Sequence, residues 1–98
     1  LNTSAIRTAI AKKQLVEFVY RGYPRVAEPH VYGIKDGKRQ LLVYQVGGLA
    51  SSGKIEAWHR INLEEISGFK VAESQFAVRR NDRTSDYNDW DTVIAAVE

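Results

Sequence analysis

The spacing of apolar residues changes several times along this chain, and each change marks an element. Over residues 3–14, Ala5, Ile6, Ala9 and Ile10 recur at three- and four-residue steps, which gathers them into one stripe of an α-helix. Thr3 or Ser4 can cap the first turn, and Lys12 and Lys13 fall where a helix C-terminus favours cations. A helix of about three turns is marginal alone, so the stripe must pack on something. Over residues 15–21 the period drops to two. Val16, Phe18 and Tyr20 take one face, and Leu15, Glu17, Val19 and Arg21 take the other. Gly22-Tyr23-Pro24 predicts a turn. Residues 25–34 predict a second strand interrupted by Pro29, which has no N–H to give and so belongs at a bulge or an edge. Asp36-Gly37 suits a two-residue hairpin loop with positive φ at both centres, where a β-branched residue in place of Gly37 is disproportionately harmful.

Residues 39–46 carry apolar side chains on both faces, with Leu42, Tyr44 and Val46 on one and Leu41 and Val43 on the other. Such a strand is covered twice. The expected arrangement is a barrel interior on one side and the helix at residues 3–14 as the lid on the other. Residues 47–54 read as a Gly- and Ser-rich loop, 55–62 and 68–72 as strands, 76–78 as extended, and 79–85 as a polar loop. Trp90, Val93, Ile94 and Val97 have helical spacing, with Asp89 and Asp91 early in the run, which predicts a short C-terminal helix. The expected fold is mainly β (α+β). It is a small SH3-like or Sm-like antiparallel barrel of about five strands with an N-terminal helix and a short C-terminal one, in a single domain over residues 1–98.

Composition narrows the classes. Ninety-eight residues, 44% hydrophobic and 27% charged, suit one globular core. No apolar run approaches the ~20 residues of a membrane-spanning helix, and no export signal is read. The absence of cysteine removes disulfides, thiol catalysis and thiolate metal sites, and the expected address is the cytoplasm. The chain opens on Leu1 and has no methionine, which leaves room for a longer parent. Net charge is +2 but uneven, with nine basic and three acidic residues up to Lys54, then five basic and nine acidic. That asymmetry suits either a surface for a polyanion or two complementary halves lying against each other.

Catalytic constellations are not found. Residues 48–54 fit the spacing of a phosphate-cradling GxxxxGK loop, but Ile55 stands where magnesium needs Ser or Thr, and an extended pattern follows instead of a helix. His30 and His59, the only histidines, have no acid at a recurrent metal spacing, so no metal or cofactor is expected. No Gly-x-Ser-x-Gly elbow exists. Glu64-Glu65 are adjacent and diverge, and Asp86, Asp89 and Asp91 are expected to cap and solvate a helix. The expectation is that this is not an enzyme. What remains is a set of basic and aromatic groups on a curved sheet: Arg25, Lys38, Arg39, Trp58, His59 and Arg60, with Tyr23, Tyr32 and Tyr44. Such surfaces suit single-stranded nucleic acid, where guanidinium groups hold phosphates and rings stack on bases. The alternative is that the rings are core. Tyr44 reads that way because it aligns with Leu42 and Val46, and Trp58 reads as half-buried at a pocket rim.

The order of these pieces resembles the WYL domain, a sensor module of bacterial transcription regulators. The opening helix leads into Val16-Glu17-Phe18-Val19-Tyr20. Arg25-Val26-Ala27-Glu28-Pro29 is similar to the family's Arg…Glu-Pro stretch, and a glycine turn at Gly37 follows. Residues 58–66 look like its basic-aromatic strand and closing isoleucine. The likeness covers residues 6–66. The name-giving tripeptide reads Gln40-Leu41-Leu42, His59 stands where the family has a ligand-contacting arginine, and Glu65 replaces a later arginine. The resemblance implies a Sm-like barrel that binds a nucleotide-containing ligand or single-stranded DNA without chemistry. Arg25, His59 and Arg60 would be the phosphate partners and Trp58 the stacking platform. The competing class is a protein-interaction or homo-oligomerisation module, which would offer the Pro29-interrupted strand or residues 76–78 as an edge.

Overall fold

The stripe on the first helix packs as its spacing requires. The structure, a computed structural model, describes residues 3–48, 57–77 and 89–97. Helix α1 (Thr3–Ala11) buries Ile6, Ala9 and Ile10 completely or nearly so. It stops short of the expected Gln14 because Lys13 adopts a left-handed φ of 52°. The carbonyls left open there are taken from another element: Gln75 Nε2 donates to Lys12 O at 2.7 Å and Phe76 N to Lys13 O at 2.8 Å.

Six strands follow: β1 (Gln14–Tyr20), β2 (Tyr23–Lys35), β3 (Lys38–Gly48), β4 (Ala57–Asn62), β5 (Ile66–Gln75) and β6 (Thr92–Ala96). All pairings are antiparallel, in the order β4-β3-β2-β1-β5, with β6 on β2. The fold is mainly β. Among the described residues β4 and β5 share no pairing, so the ladder is an open antiparallel sheet. A 3-10 turn (Leu63–Glu65) joins them, capped by Asn62, whose Oδ1 accepts from Glu64 N at 3.1 Å. Both tight hairpins place two successive residues at positive φ: Asp36 and Gly37 as expected, and Arg21 and Gly22 one residue earlier than Gly22-Tyr23-Pro24 suggested.

Pro29 marks the bulge the sequence asked for. In the β2–β3 register Pro29 faces Val43 and Val31 faces Leu42, which leaves His30 as the extra residue. The same point divides the other edge of β2. Strand β1 pairs with it as far as Ala27, and β6 takes over from Val31 to Ile34. A residue without an N–H thus sits where the ladder on that side changes partner.

Two corrections concern the C-terminal segment. The helix expected around Trp90 to Val97 is instead strand β6, because β2 outruns β1 and leaves ladder groups that Thr92–Ala96 satisfies. Asp89 and Asp91 cap no helix. Asp89 binds Lys35 (Nζ–Oδ1 3.2 Å), and Asp91 Oδ2 accepts from Gly37 N at 3.1 Å. Of the loop expected at 47–54, Gly47 and Gly48 instead end β3, and residues 49–54 lie outside the described residues, as do residues 55 and 56 of the expected strand, Val78, the loop expected at 79–85 and Asp86.

The covering of β3 also differs from expectation. Leu41 and Val43 belong to the main core with Val16, Phe18, Tyr20, Ile61 and the helix stripe, a face termed inner below. Leu42 lies on the outer face in a smaller cluster with Val31 and Trp90, backed by Trp58, Val93 and Ala96. The helix therefore closes the core side, and the C-terminal segment roofs the other while Ala95 and Val97 reach the main core.

Gly33 tests this roof. A Cβ there would run into the Thr92 carbonyl oxygen and the Trp90 ring, whereas one at Gly37 meets nothing within 4 Å and only strains a φ of 75°. Gly37→Ala is expected to cost about 1–2 kcal/mol and Gly33→Ala about 3 kcal/mol, compared by urea unfolding. Equal costs would mean that β6 does not press on β2.

Candidate functional site

Four residues were singled out from the sequence, and the pleat of β4 separates them. Successive residues of a strand point to opposite faces, so His59 goes inward with Ile61 while Trp58 and Arg60 go outward. The register agrees, since His59 faces Val43, Trp58 faces Tyr44 and Arg60 faces Leu42.

On the outer face the aromatic and basic groups already have company. The Trp58 ring meets Tyr44 edge-on with centroids 5.3 Å apart and His30 at 4.9 Å. Beneath them His30 Nε2 lies 2.9 Å from Glu28 Oε1 in a buried pair. Arg60 Nη2 is 3.4 Å from Asp89 Oδ2, and its Cζ lies 5.4 Å from the Trp90 ring centroid. Lys35, hydrogen-bonded to Asp89 and cationic, holds that carboxyl below its usual range, and Arg60 adds to the effect. Lys35–Asp89 and the Arg21–Glu65 pair at 3.6 Å join bases of the first half to acids of the second, whereas Arg60–Asp89 lies within the second.

On the inner face the balance is different. Arg25 is only 5% exposed, yet no carboxylate pairs with it among the described residues. Its Nη1 donates to Gln45 Oε1 at 3.3 Å, its Cζ lies 5.2 Å from the Tyr20 ring centroid, and its Nε is buried without an acceptor. Burial lowers the Arg25 pKa from its ordinary value, partly opposed by Tyr20. His59 is half-buried and its Nε2 likewise has no partner. Its pKa is lowered first by burial and then by the charge of Arg25. Phe18 and Ala27 continue the same face on β1 and β2, so Arg25, Gln45 and His59 form a row across β2, β3 and β4. The structure thus brings together Arg25 and His59 of the four expected residues and sets Trp58 and Arg60 apart from them.

Chemically, this row is a buried cation, a buried amide and an imidazole with unused N–H or lone-pair capacity, on a face otherwise made mainly of apolar and aromatic side chains. An unmet buried donor costs about 1–3 kcal/mol, and an uncompensated charge costs more. An oxyanion would answer both. Gln45, fully buried, was not singled out from the sequence, although a polar residue in register with Leu41 and Val43 was the available signal. Tyr32 is core, Tyr23 and Tyr44 are half-buried, and Lys38 and Arg39 are exposed at the hairpin tip. No group of three His, Asp or Glu side chains gathers among the described residues, and no helix there is long and apolar enough to cross a membrane. Compared with known protein families, curated proteins and solved structures, the chain finds no match.

Because the folded chain lowers the His59 pKa, folding favours the neutral ring. Stability is full above the ordinary 6.5 and is lost as pH falls from there toward the lowered value. Melting temperatures across that window should therefore fall more steeply for the parent than for His59→Gln. Parallel curves would remove His59 from the balance.

Proposed function

We propose that this chain is a non-enzymatic, ligand-binding sensor module of the WYL type, acting in cytoplasmic regulation. Its ligand bears phosphate, as a nucleotide or as single-stranded nucleic acid. One observation carries the reading: a guanidinium buried on the inner face with a neutral amide beside it and, among the described residues, no carboxylate. Burying such a charge unpaired is unfavourable by several kcal/mol, and a charge-assisted contact with a phosphate oxygen offsets it. His59 adds a second donor when protonated. The strand order supports the Sm-like barrel part of the reading: a leading helix, β1 flanked by β2 and β5, and a 3-10 turn between β4 and β5. Trp58 and Arg60 join the site only where a ligand passes round the outer edge of β4, which pairs with no strand among the described residues.

The test is a fluorescence titration with mononucleotide and with a short oligodeoxynucleotide, read on Trp58 and Trp90. Affinity should fall as salt rises. Arg25→Met should weaken it about tenfold or more, and Arg60→Ala, whose cation Asp89 already holds, by less. A protein that ignores both probes but self-associates in light scattering belongs to the interaction class instead.

A further inference from the structure

Gln45 occupies a place in the row from which a side chain of its length reaches Arg25. It sits on the inner face of β3, fully buried, between Ala27 of β2 and Ala57 of β4 in register. Its amide is fixed at both ends. Oε1 accepts from Arg25 Nη1 at 3.3 Å, and Nε2 donates to Gly47 O at 3.0 Å. Since arginine only donates and a carbonyl only accepts, no flipped amide satisfies both contacts. The guanidinium is therefore held by its Nη1, while its Nε stays buried without an acceptor.

A glutamate has nearly the same shape as glutamine. At this position it would place a carboxylate against Arg25 and cancel the charge from within. Glutamine does half of that: it orients the group and leaves the charge. We infer that Gln45 sets the ligand class of the site, positioning Arg25 while reserving its charge for an oxyanion carried by the ligand. This rests on the anion-binding reading above and adds to it a residue that acts through Arg25. The ligand chemistry it selects is a phosphoryl oxyanion, whether free phosphate, a nucleotide monoester or the diester of a strand. A neutral apolar ligand would leave Arg25 as unmet as before.

Two variants separate charge from shape. Gln45→Glu supplies the internal counter-ion. Gln45→Met keeps the length and neutrality but removes the amide. Each is titrated beside the parent with inorganic phosphate, adenosine monophosphate and a short oligodeoxythymidylate, and the three probes distinguish the source of the phosphoryl group. Gln45→Glu should weaken binding of every probe that the parent takes by about 10- to 100-fold and flatten the salt dependence of the oligonucleotide by about one charge. Gln45→Met should weaken binding by about three- to tenfold and keep the slope, because the charge remains. A readout independent of ligand is the His59 ring titration by NMR. The carboxylate of Gln45→Glu should raise the His59 pKa by offsetting Arg25, and Gln45→Met should not. Equal affinity and slope in Gln45→Glu and the parent, or an unmoved His59 titration in Gln45→Glu, overturns the role of Gln45 alone. A parent that binds none of the three probes overturns the anion-binding reading and this inference with it. If Gln45→Glu does not fold, Gln45→Met carries the test, and undiminished phosphate affinity there overturns the inference.

Discussion

The bend of β2 at Pro29 and His30 is the constraint on which the rest of this molecule depends. A straight thirteen-residue strand would have to keep one partner along each side. Here the missing N–H of Pro29 falls where β1 has ended and β6 has not begun, so the gap in the ladder strands no donor. The extra residue, His30, keeps its own carbonyl satisfied by Val97 N at 2.8 Å. One strand thereby carries β3 along its length, β1 on its first half and β6 on its second. Everything that distinguishes the two faces follows from that sharing.

The faces treat charge in opposite ways. Outside, cations meet partners: Lys35 and Arg60 share Asp89, and Arg60 also lies over Trp90. These contacts fasten the C-terminal segment to the end of β2 and to β4 and consume charge in holding the chain together. Exposed pairs of this kind are each weak, but they converge on one carboxylate and are backed by the Val31, Leu42 and Trp90 cluster. Inside, buried Arg25 is given an amide, a ring face and, among the described residues, no acid. A basic group that the fold does not consume is the part of the surface chemistry left for something else.

Much of this was legible in the sequence, for reasons that differ from element to element. The helix stripe, the alternation of Val16, Phe18 and Tyr20, the Asp36-Gly37 turn and the Pro29 bulge are local, and local stereochemistry decides them. The C-terminal strand was not legible, because Trp90, Val93, Ile94 and Val97 fit a helix by spacing. Only the vacant half-edge of β2, some sixty residues away in the chain, selects the extended form. The Arg21-Gly22 turn was displaced because arginine gives no turn signal. At the site, Arg25 and His59 were found, but Trp58 and Arg60 were grouped with His59 by adjacency, which is what a pleat undoes. Gln45 was passed over because a lone polar residue on an alternating strand reads as solvent-facing until both neighbouring strands are in place.

Two apolar clusters under one sheet also imply two grades of local opening. The larger cluster spans α1 and four strands, whereas the smaller is three buried side chains under a five-residue strand. Peeling β6 away would bare Val31 and Leu42 and withdraw Ala95 and Val97 from the larger cluster, while the backbone ladder between β1, β2 and β3 on which Arg25 and Gln45 stand stays paired. The C-terminal clasp thus closes both clusters, and its release leaves the strand pairing beneath the charged row in place.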